Sequence, residues 1–236
     1  QLSQHNLPFI YETHADDHDQ LVRRLGPVAR SPSLLAVVTL NEILKERCTE
    51  VGVPVDRIIT LPDAVDVDRW QGAPGRTEAR RQLDFADKKF YAMYCGHLYD
   101  HRGIEDILGA AEQLPEVEFV LIGGWEKDVD RRRQEAAHLA NVHIRGFVPN
   151  SEVPLYAAAS DCLLVPYSAN VPRVESMSPL KIFESMATNR PIIASDLAAI
   201  RSHLTNGRNA VLVPPDSGTS LADAITAAQA AERANR

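Results

Sequence analysis

The sequence predicts an α/β protein. Its main part is a parallel sheet with helices on both faces, and a second, partial α/β unit precedes it. Three observations predict this. From residue 90 onward, apolar runs of four to six residues alternate with amphipathic stretches, the pattern of repeated strand–helix–strand units. Those runs are predominantly apolar, as strands covered on both faces are. Before residue 90 the same alternation is present but too short to complete a second sheet of that kind, although 236 residues leave room for more than one unit.

Strands are expected over residues 8–11, 34–39 and 58–61, with a helix over 41–51. Residues 62–66 (Pro-Asp-Ala-Val-Asp) read as a turn or crossover. Residues 71–76, with Gly and Pro, read as a linker into a charged helix over 77–82. The larger unit then runs strand 90–95, helix 103–113, strand 117–122, helix 127–139, strand 142–144, helix 151–159 and strand 162–165. A long loop over 166–178 leads to a helix over 179–187. There Ser178 is a good N-cap, Pro179 suits the first helical position, and Asn189 is a left-handed stop. Strand 191–194, helix 198–204, strand 210–213 and an Ala-rich helix after Ser217 complete the chain. The division is therefore residues 1–66, a partial unit on the N-terminal side; 67–88, crossover and linker; and 89–236, the main domain.

Composition excludes some functions. Hydrophobic residues at 44% and charged residues at 24% describe an ordinary globular chain. A net charge of −7 argues against nucleic acid as a partner, since that affinity needs clustered Lys and Arg. The run Arg131-Arg132-Arg133 reads as a solvated helix face. Cys48, Cys95 and Cys162 are far apart and lack metal spacing, which fits buried thiols in a reducing cytoplasm. No apolar run is long enough to span a membrane. The chain opens with Gln1, so a piece of a longer protein is expected.

Four loops at strand ends could carry chemistry. In Cys95-Gly96-His97-Leu98-Tyr99-Asp100-His101-Arg102-Gly103, backbone amides and Arg102 could hold a diphosphate; alone, the segment also reads as an ordinary connection. Gly123-Gly124-Trp125 is no dinucleotide fingerprint, and close packing is the expected task of its glycines. Arg145-Gly146-Phe147-Val148 could face a base with its backbone. The fourth loop, with Arg173 and Glu175, is too long for a mere connection. It enters the helix on which Lys181 and Glu184 sit three apart on one face. A Lys and a carboxylate near a helix start suit a phosphorylated ligand whose sugar hydroxyls Glu184 reads; a surface ion pair is the plainer alternative. Ser178-x-x-Lys181 also matches a serine nucleophile motif, but no Lys-Thr-Gly accompanies it. Glu12, His14, Asp16, Asp17, His18 and Asp19 read as a polar loop in preference to a metal site.

Taken in order, these segments resemble the retaining glycosyltransferases of the GT-B fold, the glycosyl transferases group 1 family. Gly96-His97-Leu98-Tyr99 with Arg102-Gly103 is similar to its Gly-x-Leu…Lys-Gly loop. Ser178-Pro179-Leu180-Lys181-x-Phe183-Glu184-x-Met186-Ala187 followed by residues 190–196 (Arg-Pro-Ile-Ile-Ala-Ser-Asp) resembles its donor signature. Tyr11-Glu12-Thr13-His14 is similar to the acceptor-domain strand end. The resemblance implies a Rossmann-like donor domain, a nucleotide diphosphate sugar as donor substrate, and transfer with retention, without metal or cofactor. Glu184 would bind the ribose, and Arg102, Lys181 and the amides of Ser178, Pro179 and Leu180 the diphosphate. Gly96 and His97 would line the phosphates, Gly146 would face the base, and His14 would approach the sugar as the catalytic residue.

Three positions depart from the pattern. The family's paired Glu falls at Ser176, with Glu175 one position off. His97 stands where many members have Arg, and Asn189 replaces Gly. The acceptor stays open between glycan, lipid and small molecule, as does peripheral attachment to a membrane. The chain alone is expected to bind donor and to catalyse poorly. A nucleotide-sugar-binding module without catalysis of its own is the alternative reading.

Overall fold

The computed structural model describes residues 7–14, 17–172, 174 and 176–234. Two compact units divide it. Residues 1–64 group with 173–179, and residues 65–172 group with 180–236.

The first unit is a three-stranded parallel sheet in the order β1 (Phe9–Thr13), β2 (Leu34–Thr39), β3 (Ile58–Thr60). Helices α1 (His18–Arg24) and α2 (Glu42–Glu50) connect the strands. Leu21, Leu25, Leu34, Val37, Cys48 and Val53 form its core. Helix α1 falls where the sequence reads as a polar loop. The Asp17 side chain accepts from the Gln20 amide at 3.0 Å, and Asp19 lies in the first turn. Two of the acids that suggested a metal cluster therefore serve a helix N-terminus. Among the described residues no group of three His, Cys, Asp or Glu is placed to hold a metal; Asp16 lies outside them.

The second unit opens with α3 (Val67–Gln71) and α4 (Arg76–Gln82). Helix α3 lies in the stretch expected to be linker. Asp66 caps it by accepting from the Arg69 amide, and its Trp70 is buried. Then follow β4 (Phe90–Cys95), α5 (Ile104–Gln113), β5 (Val117–Ile122), α6 (Glu126–Glu135), β6 (Val142–Gly146), α7 (Val153–Ala159), β7 (Cys162–Val165), α8 (Leu180–Met186), β8 (Ile192–Ser195), α9 (Ala198–Arg201), β9 (Val211–Val213) and α10 (Gly218–Ala234). The six strands are parallel in the order β6-β5-β4-β7-β8-β9. Separate apolar clusters cover the two faces of this sheet, one built on α5 and α10 and the other on Trp70 and α7. That explains why strands β4 and β7 are apolar throughout and β5 is apolar but for Glu118.

Two expectations are corrected. In Arg131-Arg132-Arg133, expected to be a solvated face, Arg133 is exposed and Arg131 partly so, but the middle residue is not. Arg132 is 1% exposed, donates to the Leu98 carbonyl at 2.9 Å and pairs with Glu105 at 2.7 Å and Glu135 at 2.8 Å. Helix α8 begins at Leu180, so Pro179 precedes it. The Ser178 hydroxyl is buried without a hydrogen-bond partner among the described residues, so it makes no capping bond.

Candidate functional site

The large sheet changes its direction of growth at β4. Strands β5 and β6 are added on one side, and β7, β8 and β9 on the other. Open parallel sheets take ligands at the carboxyl ends of strands beside such a switch point. Here the loop over 96–103 leaves β4, and Tyr167 stands two residues beyond β7.

Two cations meet at this edge. Lys181, the second residue of α8, keeps partial exposure, but its ammonium lies among aromatic rings. Nζ is 3.1 Å from the Tyr94 hydroxyl, 4.2 Å from the Tyr94 ring centre and 4.8 Å from that of Tyr167. Arg102 donates to the hydroxyls of Tyr167 at 3.0 Å and Tyr99 at 2.6 Å. Its guanidinium lies 4.8 Å from the Tyr99 ring centre and 5.2 Å from that of Tyr167. Both cations thus lean on Tyr167, and cation–π attraction offsets part of their desolvation.

Neither cation forms an ion pair with a carboxylate among the described residues; their polar partners are the tyrosine hydroxyls. Arg102 Nε is buried with no partner among those residues. Burial pushes the Lys181 ammonium down to about 7, and Arg102 beside it acts in the same direction. Glu184 acts on Lys181 only as a nearby charge, without an ion pair among the described residues, and a phosphate would supply a bonded counter-anion.

Glu184 follows one turn later on α8. Burial raises its carboxyl pKa, against the pull of Lys181 and Arg69. It makes no ion pair with Lys181 among the described residues, so the surface-pair alternative fails. Gly96 sits at φ +149°, and a Cβ there would stand 3.0 Å from Lys181 Nζ and 3.1 Å from the Tyr94 hydroxyl, so a side chain would be strained and would crowd both. Gly123 backs onto the Gly96 carbonyl, the close packing expected of it, and its amide donates to Gly146 O at 2.6 Å. The loops after β4, β5 and β6 are therefore joined side by side.

The structure brings together Gly96, Arg102, Lys181 and Tyr94, with Glu184 on the same helix. Gly146 ends β6, and its carbonyl is occupied by Gly123. His97 stacks on Tyr99 and Trp125. Leu180 opens α8 and is 46% exposed. Ser178 and Pro179 belong to the stretch that groups with the first unit, and Glu175 lies outside the described residues. His14 follows β1 in the first unit, is exposed, and pairs with Glu12 at 2.7 Å. Sequence reasoning missed Tyr94 and Tyr167. Both read as strand or loop apolar residues, and the signal was their place at the ends of β4 and β7.

A family model described as glycosyl transferases group 1 matches residues 89–230. The chain belongs to this family. Among curated relatives, an alpha-galactosylglucosyldiacylglycerol synthase of Streptococcus pneumoniae is 25% identical over 68% of this chain and 44% of its own length. A D-inositol 3-phosphate glycosyltransferase of Xylanimonas cellulosilytica is 27% identical over 85% of this chain and 49% of its own. The chain thus spans about half the length of these relatives. Among solved structures, Anabaena HepE in complex with UDP-glucose superposes with a TM-score of 0.76 at 19% identity, over 96% of this chain and 64% of that one. The C-terminal domain of a glycosyl transferase group 1 family protein from Francisella tularensis gives 0.56 at 19% identity, over 72% and 90% of the two chains. These structures share the GT-B architecture expected from the sequence.

Proposed function

We propose that this group 1 chain is a glycosyltransferase whose second unit holds a nucleotide diphosphate sugar at the Lys181–Arg102 pair, for transfer of the sugar to an acceptor. The observation that carries the reading is the cation pair at the switch point, packed on Tyr94 and Tyr167 and forming no ion pair with a carboxylate among the described residues. A diphosphate supplies a bonded anion. The amides that open α8 at Leu180, and the backbone of Gly96 and His97, complete its surroundings. Glu184 accepts hydrogen bonds from the ribose hydroxyls, which favours its charged form once the ligand is bound.

The chemistry follows from charge. As the bond between the sugar's anomeric carbon and the phosphate oxygen breaks, negative charge grows on the leaving diphosphate. Lys181 and Arg102 are already in place to stabilise it. The acceptor oxygen then bonds to the anomeric carbon on the face the phosphate leaves, and the acceptor's proton passes to a phosphate oxygen. Configuration is retained, and no enzyme nucleophile is required. The two cations take the neutralising part that a divalent ion has in other transferases. We assign His14 to turnover and not to nucleotide binding.

Uridine diphosphate sugars are the first donors to test, since HepE has been captured with UDP-glucose. The experiment is calorimetric titration with UDP-, GDP- and ADP-sugars, followed by a turnover assay with and without EDTA and by NMR of the product's anomeric centre. The proposal expects binding that Lys181→Gln abolishes, turnover unaffected by EDTA, and a retained anomer. His14→Ala lowers kcat and leaves donor affinity unchanged. Binding with no turnover on any acceptor would leave a nucleotide-sugar-binding module.

A further inference from the structure

Beside the cations lies an exposed set of aromatic rings that the donor reading above does not use. The His97 ring stacks on Tyr99 with centres 5.1 Å apart and planes at 28°. It also stacks on Trp125 at 5.9 Å and 26°. Trp125 is nonetheless 69% exposed, and Tyr99 is 37% exposed. A lone exposed ring carries no message, but Trp125, His97 and Tyr99 form a contiguous exposed aromatic patch, and such patches mark binding surfaces. Its position is fixed from behind. Trp125 precedes α6, whose first turn is anchored by the Asp128 and Val129 amides donating to the Trp125 carbonyl, each at 2.9 Å. Gly123 and Gly124, which lead into it, pack against Gly96 and Leu98.

The rings connect to the cation pair through bonded neighbours. Tyr99 accepts from Arg102, and the loop that carries His97 starts at Gly96, against Lys181. A ligand suited to this surface has an anionic group at one end and a flat, apolar-faced group at the other. A nucleoside diphosphate has that form, because every base presents a π-face.

We propose that the Trp125 indole, backed by His97, is the platform on which the donor's nucleobase stacks. This rests on the assignment of Lys181 and Arg102 to the diphosphate. It makes His97 a positioning residue as well as a phosphate neighbour: its ring holds the indole. Stacking reads area and not base edges, so Trp125 strengthens binding of UDP, GDP and ADP alike, with the larger purines gaining most.

The test is calorimetric titration of wild type, Trp125→Ala, Trp125→Phe and Lys181→Gln with UDP, ADP and inorganic pyrophosphate. Pyrophosphate carries the anion without the base. Trp125→Ala is expected to weaken UDP by about tenfold, within the usual range for base–aromatic stacking. It weakens ADP by more and leaves pyrophosphate unchanged, while Trp125→Phe recovers most of the UDP affinity. Equal loss for UDP and pyrophosphate would overturn the proposal, because Trp125 would then only shape the phosphate loop. Unchanged UDP affinity in Trp125→Ala would overturn it as well. Failure of the underlying donor reading looks different: Lys181→Gln would leave all three ligands bound as in wild type.

Discussion

At the scale of single residues, the proposed donor binding sets Lys181 against stability. Its ammonium is packed on two tyrosine rings beside a second cation, and its pKa falls to about 7 from an ordinary 10.5. Two consequences follow. Below pH 7 the side chain is already charged, so donor affinity is flat there. Above pH 7 binding must bring a proton with it, and Kd rises by up to about tenfold per pH unit until the pKa of the complex is reached. Titrations between pH 6 and 9 check this. For the unliganded protein, the unfolded chain holds a proton between pH 7 and 10.5 that folded Lys181 has lost, so this group makes the fold more stable as pH rises through that window. Lys181→Met is accordingly expected to raise the Tm of the unliganded protein at neutral pH while abolishing donor binding. Glu184→Gln is expected to cost UDP about ten- to a hundredfold in Kd, the usual worth of a hydrogen bond to a charged group. It should cost little for a 2′,3′-dideoxy analogue, which has no hydroxyls to read.

At the scale of elements, loops carry the site and strands hold the loops. Gly103 shows how tightly. It sits at φ +69° before α5, and a Cβ there would come 2.5 Å from Cβ of Pro166, in the loop after β7. Gly103→Ala is expected to destabilise the protein by about 2–4 kcal/mol, from the left-handed backbone plus the overlap. It should also weaken donor binding, since the two loops that hold Arg102 and Tyr167 must part; chemical denaturation and titration measure the two effects. Strands β2, β4, β5 and β7 were legible to the residue, because an apolar run bounded by polar turns has only one place to begin and end. Helices α1 and α3 were not. Each is short and polar, held by an Asp cap and a single buried anchor, Leu21 or Trp70, and tertiary burial rather than periodicity decides such helices. Gly96, Arg102 and the Lys181–Glu184 spacing were legible as candidates, and the fold brings Gly96, Arg102 and Lys181 together. The tyrosines were not legible, because a Tyr in an apolar strand looks the same whether its hydroxyl is idle or holds a cation.

At the scale of the whole molecule, the large sheet divides its tasks between its two edges. At the carboxyl edge, Lys181 and Arg102 form no ion pair with a carboxylate among the described residues, and their polar partners are tyrosine hydroxyls. The opposite edge neutralises its own: Asp161, whose side chain is fully buried, meets Arg80 and Arg76 at 2.6 Å each and accepts from the Tyr91 amide at 2.8 Å. Asp161→Asn strands the buried Arg80 charge and is expected to cost about 3–5 kcal/mol of stability, the usual penalty for breaking a buried pair, with donor affinity per folded molecule unchanged. The parallel architecture was visible in the sequence as alternation that thins out toward the start. The burial of Arg132 within a basic run was not, because its partners, Leu98 and Glu105, are distant in the chain and meet it only in the fold. The central claim is that the Lys181–Arg102 pair holds the diphosphate of a nucleotide sugar. Its most direct test is calorimetric titration of wild type, Lys181→Met and Arg102→Gln with UDP-, GDP- and ADP-sugars at pH 6.5. The account predicts that wild type binds at least one of them and that each variant loses that binding by a hundredfold or more. Equal affinity in wild type and both variants, or no binding by wild type, would contradict it.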